Sequence, residues 1–316
     1  MENNIGVIGI GNMGFGMSCN LLEAGFNVYV YDVRPEPLEE MKKRGAVAAS
    51  GVVDLAQKCP VVFSVLLDYQ QNLSVIDGPQ GLVKNMKQGG CIFVCSTISP
   101  LEARELHRVA KANGIRLLDC PISGGPEGAR AGTLSLMIGG DTGAVTEHRK
   151  ALEAISANIY HFGDVGAGES AKAINQLLVA VNNVATDEAM LLASKSGLNL
   201  KEIYNLISNS AGNSWIFQHR AMRMIEHDFK PRGILGILLK DTSIVTKTAA
   251  SLKLVLPITT LVQQLYQAGV NAGFGSMDDS AIVRVLETLS SYSIIQQPSD
   301  KPESLEFKGS GGQGGK

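Results

Sequence analysis

Lys172, Asn175 and Gln176 stand at i, i+3 and i+4, so a helix through them places an amine and two amides on one face. An amine whose proton affinity is lowered by burial can serve as a general acid or base. Taken alone, the lysine also fits an ordinary solvated helix position. Ser123, Gly124 and Gly125 follow a strand-like run that ends at Asp119 and Pro121. Two glycines after a serine can turn backbone N–H groups towards a carboxylate; in isolation they also read as a plain turn. Lys240-Asp241 closes the apolar run GILGILL and by itself reads as an exposed pair.

A second constellation concerns a nucleotide. Gly9, Ile10, Gly11, Asn12, Met13 and Gly14 form G-x-G-x-x-G between an apolar run and a helical period. Gly9 allows the tight turn, Gly11 lets backbone approach a pyrophosphate, and Gly14 permits close helix–strand packing at a helix N-terminus. Asp32 lies some 18 residues beyond Gly14, near the roughly 20 expected of the acid that meets the adenosine ribose. A carboxylate there repels a 2′-phosphate and favours NAD over NADP. Arg34 is the residue that could accommodate that phosphate instead.

The elements that must position these groups divide the chain in two. Apolar runs at 5–10, 28–31, 61–66, 91–94, 116–118 and 135–138 alternate with helical periods at 13–23, 37–44, 101–112 and 143–154. Alternation of this kind predicts a Rossmann-type, doubly wound parallel sheet covered on both faces, over 1–163. From 164 to 290 the period is helical throughout, led by one long helix over about 169–195 that carries Lys172. The expected fold is thus α/β, an NAD-binding domain followed by an all-helical substrate and dimerisation domain. Residues 291–316, Pro/Ser/Lys- then Gly-rich, are expected to be a disordered tail.

Composition narrows the partners. The 28 basic and 30 acidic side chains give a net charge of −2 over 316 residues, which argues against nucleic acid or a membrane surface. Charged residues at 18% and hydrophobic residues at 45% exclude wholesale disorder. Five cysteines without a C-x-x-C pair read as free thiols of a reduced, cytoplasmic chain, and MENNIGVIGI lacks the basic start of a secretion signal. The five histidines contain no H-x-x-x-H, so no metal site is expected.

Taken together, VIGIGNMGFGMSCNLLEAG, STISP (96–100), DCPISGG (119–125), GAGESAKAINQ (166–176) and LLKD (238–241) resemble the β-hydroxyacid dehydrogenase family, which includes 3-hydroxyisobutyrate dehydrogenase and tartronate semialdehyde reductase. The resemblance implies Lys172 as catalytic acid/base, Asn175 as a substrate-fixing amide and Ser123, Gly124 and Gly125 as the carboxylate loop. It implies cofactor contacts from Thr97 and Lys240, and from Leu66 and Leu67 where the family usually carries Leu-Pro. SAGNSWIFQHR (210–220) and DFKPRGILGILLKD (228–241) look like the L-threonate dehydrogenase branch. The expected reaction is NAD-dependent oxidation of a short hydroxy acid, L-threonate to 2-oxotetronate. Oxidation of 3-hydroxyisobutyrate and reduction of tartronate semialdehyde are the alternatives. Asn213, Ser214 and Trp215 read either as lining for a polyhydroxylated substrate or as a helix cap with a core tryptophan. A silent NAD-binding module is disfavoured because Lys172 is present. The long helix and apolar second half point to a homodimer or homotetramer.

Overall fold

Short apolar runs of two to five residues, too short for stable helices, pair as parallel strands in the computed structural model, which describes residues 3–294. They are β1 (Asn4–Ile8), β2 (Asn27–Tyr31), β3 (Val47–Ala48), β4 (Val61–Ser64), β5 (Cys91–Val94) and β6 (Arg116–Asp119), in the order β3-β2-β1-β4-β5-β6. Every pairing in this sheet is parallel. The chain winds from β1 to one edge, then returns beside β1 at β4 and winds the other way. A crevice therefore opens at the carboxyl ends of β1 and β4.

Helices α1 (Asn12–Glu23), α2 (Pro35–Lys43), α3 (Val52–Lys58), α4 (Tyr69–Asp77), α5 (Leu82–Asn85) and α6 (Pro100–Ala112) connect these strands. Alternate strand residues feed two cores. Val7, Val30, Phe63 and Phe93 belong to one, Ile8, Val62, Ile92 and Val94 to the other. The α6 start is locally encoded: Ser99 and Glu102 form a reciprocal capping box, with Pro100 at the first helical position.

The expected strand at 135–138 forms, yet not in this sheet. It is β8 (Leu134–Ile138), the centre of a separate three-stranded sheet between β7 (Ile122–Ser123), antiparallel, and β9 (Ser156–His161), parallel. Between them lie α7 (Gly125–Ala131), α8 (Thr142–Glu147) and α9 (Arg149–Ile155). The single helix expected over 143–154 breaks at His148, whose ring turns inward to meet Phe93 edge-on at 5.9 Å. Strands β3, β7 and β9 and the helices α3, α4, α5 and α7 went unread, being too short or too polar for a clear period.

The second half is helical as expected: α10 (Ala167–Lys195), α11 (Leu200–Ser208), α12 (Trp215–Glu226), α13 (Leu235–Ser251), α14 (Pro257–Asn271), a 3₁₀ turn (Asp279–Ile282) and α15 (Val283–Ser290). α10 packs Ala180 and Val184 against Leu235, Leu238, Val262 and Tyr266. Residues 291–294 of the expected tail belong to the fold. Ile294 is buried and packs with Met190 and Phe217, because the chain turns back after α15. The rest of that expected tail lies outside the described residues.

Close packing of α1 on α7 ties the two sheets together. A Cβ at Gly16 would come 2.6 Å from the carbonyl carbon of Ala129 and 2.8 Å from the nitrogen of Arg130, both backbone atoms. Gly16→Ala should therefore lower stability by about 1–3 kcal/mol, the usual cost of overpacking, and shift the urea midpoint down. An unchanged midpoint would show that α1 and α7 can part without cost.

Candidate active site

A cleft of about 1550 Å³ runs between the large sheet and the helical half. Its sheet-side floor is the β1–α1 turn. Gly9 has φ +91°, and a Cβ there would strike the Val65 carbonyl oxygen; one on Gly14 would strike the Gly9 carbonyl oxygen. At Gly11 a Cβ would meet nothing within 4 Å and would instead point into open space. The turn is thus packed tight at two glycines and left open at the third, which fits a dinucleotide whose pyrophosphate needs close backbone. Gly9, Gly11, Asn12, Met13, Gly14 and Asp32 line the cleft, as do Leu66, Leu67 and Thr97. Ile10 does not. It is buried, and its N–H donates to Asp32 Oδ2 at 2.7 Å.

Lys172 is set by a buried carboxylate that the sequence reading left without a role. Asp119, the last residue of β6, accepts the N–H groups of Gly166 (2.7 Å) and Glu169 (2.8 Å), and so caps the first turn of α10. Burial pushes the Asp119 carboxyl above its ordinary range, although these donors pull it down. One turn on, Lys172 is buried and its Nζ donates to the Ile122 carbonyl oxygen at 2.8 Å, beside Ser123, Gly124 and Gly125. Gly124 and Gly125 have φ of +134° and +65°, a backbone that side chains resist. Ser123, Gly124, Gly125, Lys172 and Asn175 all line the same cleft.

Burial lowers the proton affinity of Lys172 from its ordinary value. Asp241 and Glu169 oppose that shift, and Lys240 adds to it. Glu169, buried three residues earlier, accepts the Ile98 N–H at 3.3 Å, and burial with Asp119 nearby holds its carboxyl well above the ordinary range. Asn175 donates to Gln176 Oε1 at 2.9 Å, and Gln176 donates to Asp241 Oδ2 at 2.5 Å. Lys240 reaches from α13 across the cleft to the Thr97 carbonyl oxygen at 2.6 Å. The pair that reads as an exposed Lys-Asp is therefore a bridge between the two halves, with Asp241 buried.

The pocket-lining reading of Asn213 and Ser214 is corrected. Ser214 is the N-cap of α12, accepting the Phe217 N–H at 3.0 Å. Asn213 is exposed, donates to the Ser208 carbonyl oxygen at 3.0 Å, and is absent from the cleft lining. Local capping bonds hold both side chains. Trp215 is neither core nor cap: it is half exposed, lines the cleft and stacks on His219. Arg220 and Asp279 also line the cleft. Nothing in the sequence pairs residues so far apart.

Two family models cover this chain: the NAD binding domain of 6-phosphogluconate dehydrogenase over residues 4–163, and the NAD-binding domain of NADP-dependent 3-hydroxyisobutyrate dehydrogenase over 166–286. The L-threonate dehydrogenase of Cupriavidus necator is 36% identical over 286 residues, spanning 90% of this chain and 96% of its own. The chain belongs to the β-hydroxyacid dehydrogenase family. It is an NAD-dependent hydroxyacid dehydrogenase. The NAD-dependent L-serine dehydrogenase of Pseudomonas aeruginosa is 32% identical, over 90% of this chain and 97% of that one. The crystal structure of 3-hydroxyisobutyrate dehydrogenase from Salmonella typhimurium matches with a TM-score of 0.84 at 32% identity, covering 89% of this chain and 99% of that one.

In this dehydrogenase Arg34 is not free to greet a phosphate. Its Nε and Nη2 fold back on Asp32, each at 3.0 Å from a carboxylate oxygen. Burial pushes the Asp32 carboxyl up, but the bonds from Arg34 and the Ile10 N–H outweigh it and leave it below the ordinary range. Asp32 therefore stays ionised where the ribose would lie. NAD should be used at least about tenfold better than NADP in kcat/KM, about 1.4 kcal/mol. Equal use of the two in initial-rate assays would mean that Arg34 swings away and governs the pocket.

Proposed function

We propose that this dehydrogenase oxidises L-threonate at C2 to 2-oxotetronate, with Lys172 as the general acid/base. The observation that carries the reading is a buried amine of lowered proton affinity beside the Ser123–Gly125 loop. Backbone N–H groups of Ser123, Gly124 and Gly125 receive the substrate carboxylate, and Asn175 donates to the hydroxyl that reacts. A hydroxyl held near that carboxylate is then at C2 or C3. NAD, held by the Gly9–Gly14 turn, Asp32, Leu66, Leu67, Thr97 and Lys240, supplies the hydride acceptor. Neutral Lys172 takes the hydroxyl proton, and the Ile122 carbonyl oxygen anchors the ammonium so formed. In the reverse direction the same ammonium donates to the alkoxide.

Relatives named L-threonate dehydrogenase, 31–36% identical to this chain, support the tetronate. So does the far wall, where Trp215, Arg220 and Arg232 bring N–H donors for hydroxyl groups. On this reading residues 1–163 hold the cofactor and 164–290 the substrate and a subunit interface. Ile174, Leu178 and Leu192 of α10 are exposed apolar residues that a second copy would cover, which supports a homodimer or homotetramer. The free cysteines support a cytoplasmic location. No helix among the described residues is long and apolar enough to cross a membrane.

Lys172→Ala should lower kcat by roughly 10²–10⁴-fold while changing NAD affinity little. Because oxidation needs the neutral amine, the rate should climb with pH and level off once Lys172 has lost its proton, below the ordinary lysine range. Near-normal turnover by the alanine variant would remove Lys172 from the mechanism.

Across a panel of C3–C5 hydroxy acids, L-threonate should give the highest kcat/KM, ahead of 3-hydroxyisobutyrate. The methyl group of the latter leaves donors of the far wall unpaired, a cost of about 1–3 kcal/mol. A chain that oxidises 3-hydroxyisobutyrate better than any tetronate would keep its family and lose this substrate.

A further inference from the structure

On the helical side of the cleft, Arg220 of α12 meets Asp279 of the 3₁₀ turn. Their side chains are 11% and 7% exposed, and the contact is two-pronged: Nε to Oδ1 at 2.5 Å and Nη2 to Oδ2 at 3.0 Å. Asp279 is fixed from behind, since its N–H donates to the Gly233 carbonyl oxygen at 2.7 Å and its own carbonyl oxygen accepts Asn183 Nδ2 at 2.9 Å. The neighbouring cations are matched in the same way. Arg223 pairs with Asp278 at 3.2 Å and Arg232 with Asp228 at 2.6 Å. Burial, with Asp279 nearby, also holds the carboxyl of buried Asp187 well above the ordinary range.

We propose that Asp279 determines substrate class: by neutralising Arg220 on the cleft wall, it makes the dehydrogenase accept hydroxy acids with one carboxylate and reject diacids. Nη2 is hydrogen-bonded to the carboxylate, Nε sits against Oδ1 as a charge contact without hydrogen-bond geometry, and Nη1 makes no hydrogen bond among the described residues. The wall thus offers an N–H donor without net positive charge. A hydroxyl can use that donor. A second carboxylate would be stripped of water and set beside the Asp279 carboxylate, with no unshared cation to receive it. This rests on the reading that Ser123–Gly125 holds the first carboxylate.

The test compares L-threonate with the four-carbon diacid of the same configuration, measuring kcat/KM for each and competitive inhibition by the diacid. The wild type should favour the monoacid by at least about 30-fold, since setting like charges side by side is strongly disfavoured. Asp279→Asn leaves Arg220 with a net positive charge and should shrink that ratio at least about tenfold. The double variant Arg220→Gln/Asp279→Asn restores a neutral wall and should recover most of the discrimination. Tm and NAD binding identify variants that fold. If Asp279→Asn does not fold, Arg220→Gln alone exposes an unpaired carboxylate and should widen the ratio instead. A wild type that takes the diacid as readily, or an unchanged ratio in a folded variant, overturns the proposal. Should L-threonate prove not to be a substrate, the same ratio is read on whichever hydroxy monoacid is oxidised and its ω-carboxylated counterpart. The tetronate assignment then fails alone.

Discussion

The buried carboxylate of Asp119 is the contact on which the site depends. It ends β6, a strand of the cofactor sheet, and holds the first turn of α10, the helix that begins the other half. A charged or partly charged oxygen pair is costly to bury, and here backbone donors at a helix N-terminus offset that cost. The space for it is kept by Gly139 and Gly168, where a Cβ would come within 2.6 and 2.9 Å of the carboxylate oxygens. Because α10 is rigid, fixing its first turn also fixes Lys172 one turn further on. The large sheet and the buried amine of Lys172 are thereby joined through one side chain.

Around Lys172 the charges are arranged so that burial prevails. Two acids raise its proton affinity, but Glu169 is itself kept towards its neutral form, and Lys240 stands close enough to oppose the rest. Lys240 also ties α13 to Thr97, so the same residue helps tune the amine and closes the cleft from the helical side. Asp241 is shared in this arrangement, taking Gln176 from the Lys172 helix. Such linked groups respond together, and a change at one alters the electrostatics of all.

What could be read from the chain was whatever repeats locally. Short apolar runs marked five of the six strands of the large sheet, and the uninterrupted helical period marked α10 almost to its ends. The glycine turn was legible because sterics demand glycine at Gly9 and Gly14. Failures came where local signals are thin. Two-residue strands have no period, β8 carries nothing to say which sheet it joins, and the helix break at His148 goes with a ring contact to the distant Phe93. For Asn213 and Ser214 the chain left pocket lining and capping both open, and only the folded backbone shows local bonds holding both side chains.

By itself, then, the sequence determined the class of fold, the nucleotide turn and the face of α10 that carries Lys172, Asn175 and Gln176. Each follows from interactions among residues within a turn or a strand of one another. Only the tertiary structure decided that Asp119 seats that helix, that Ile122 receives the lysine and that Arg220 is cancelled by Asp279. Those partners lie about fifty or more positions apart, with no period or spacing rule to connect them. Burial brings them together, and the cost of leaving a buried charge unpaired selects which of them touch.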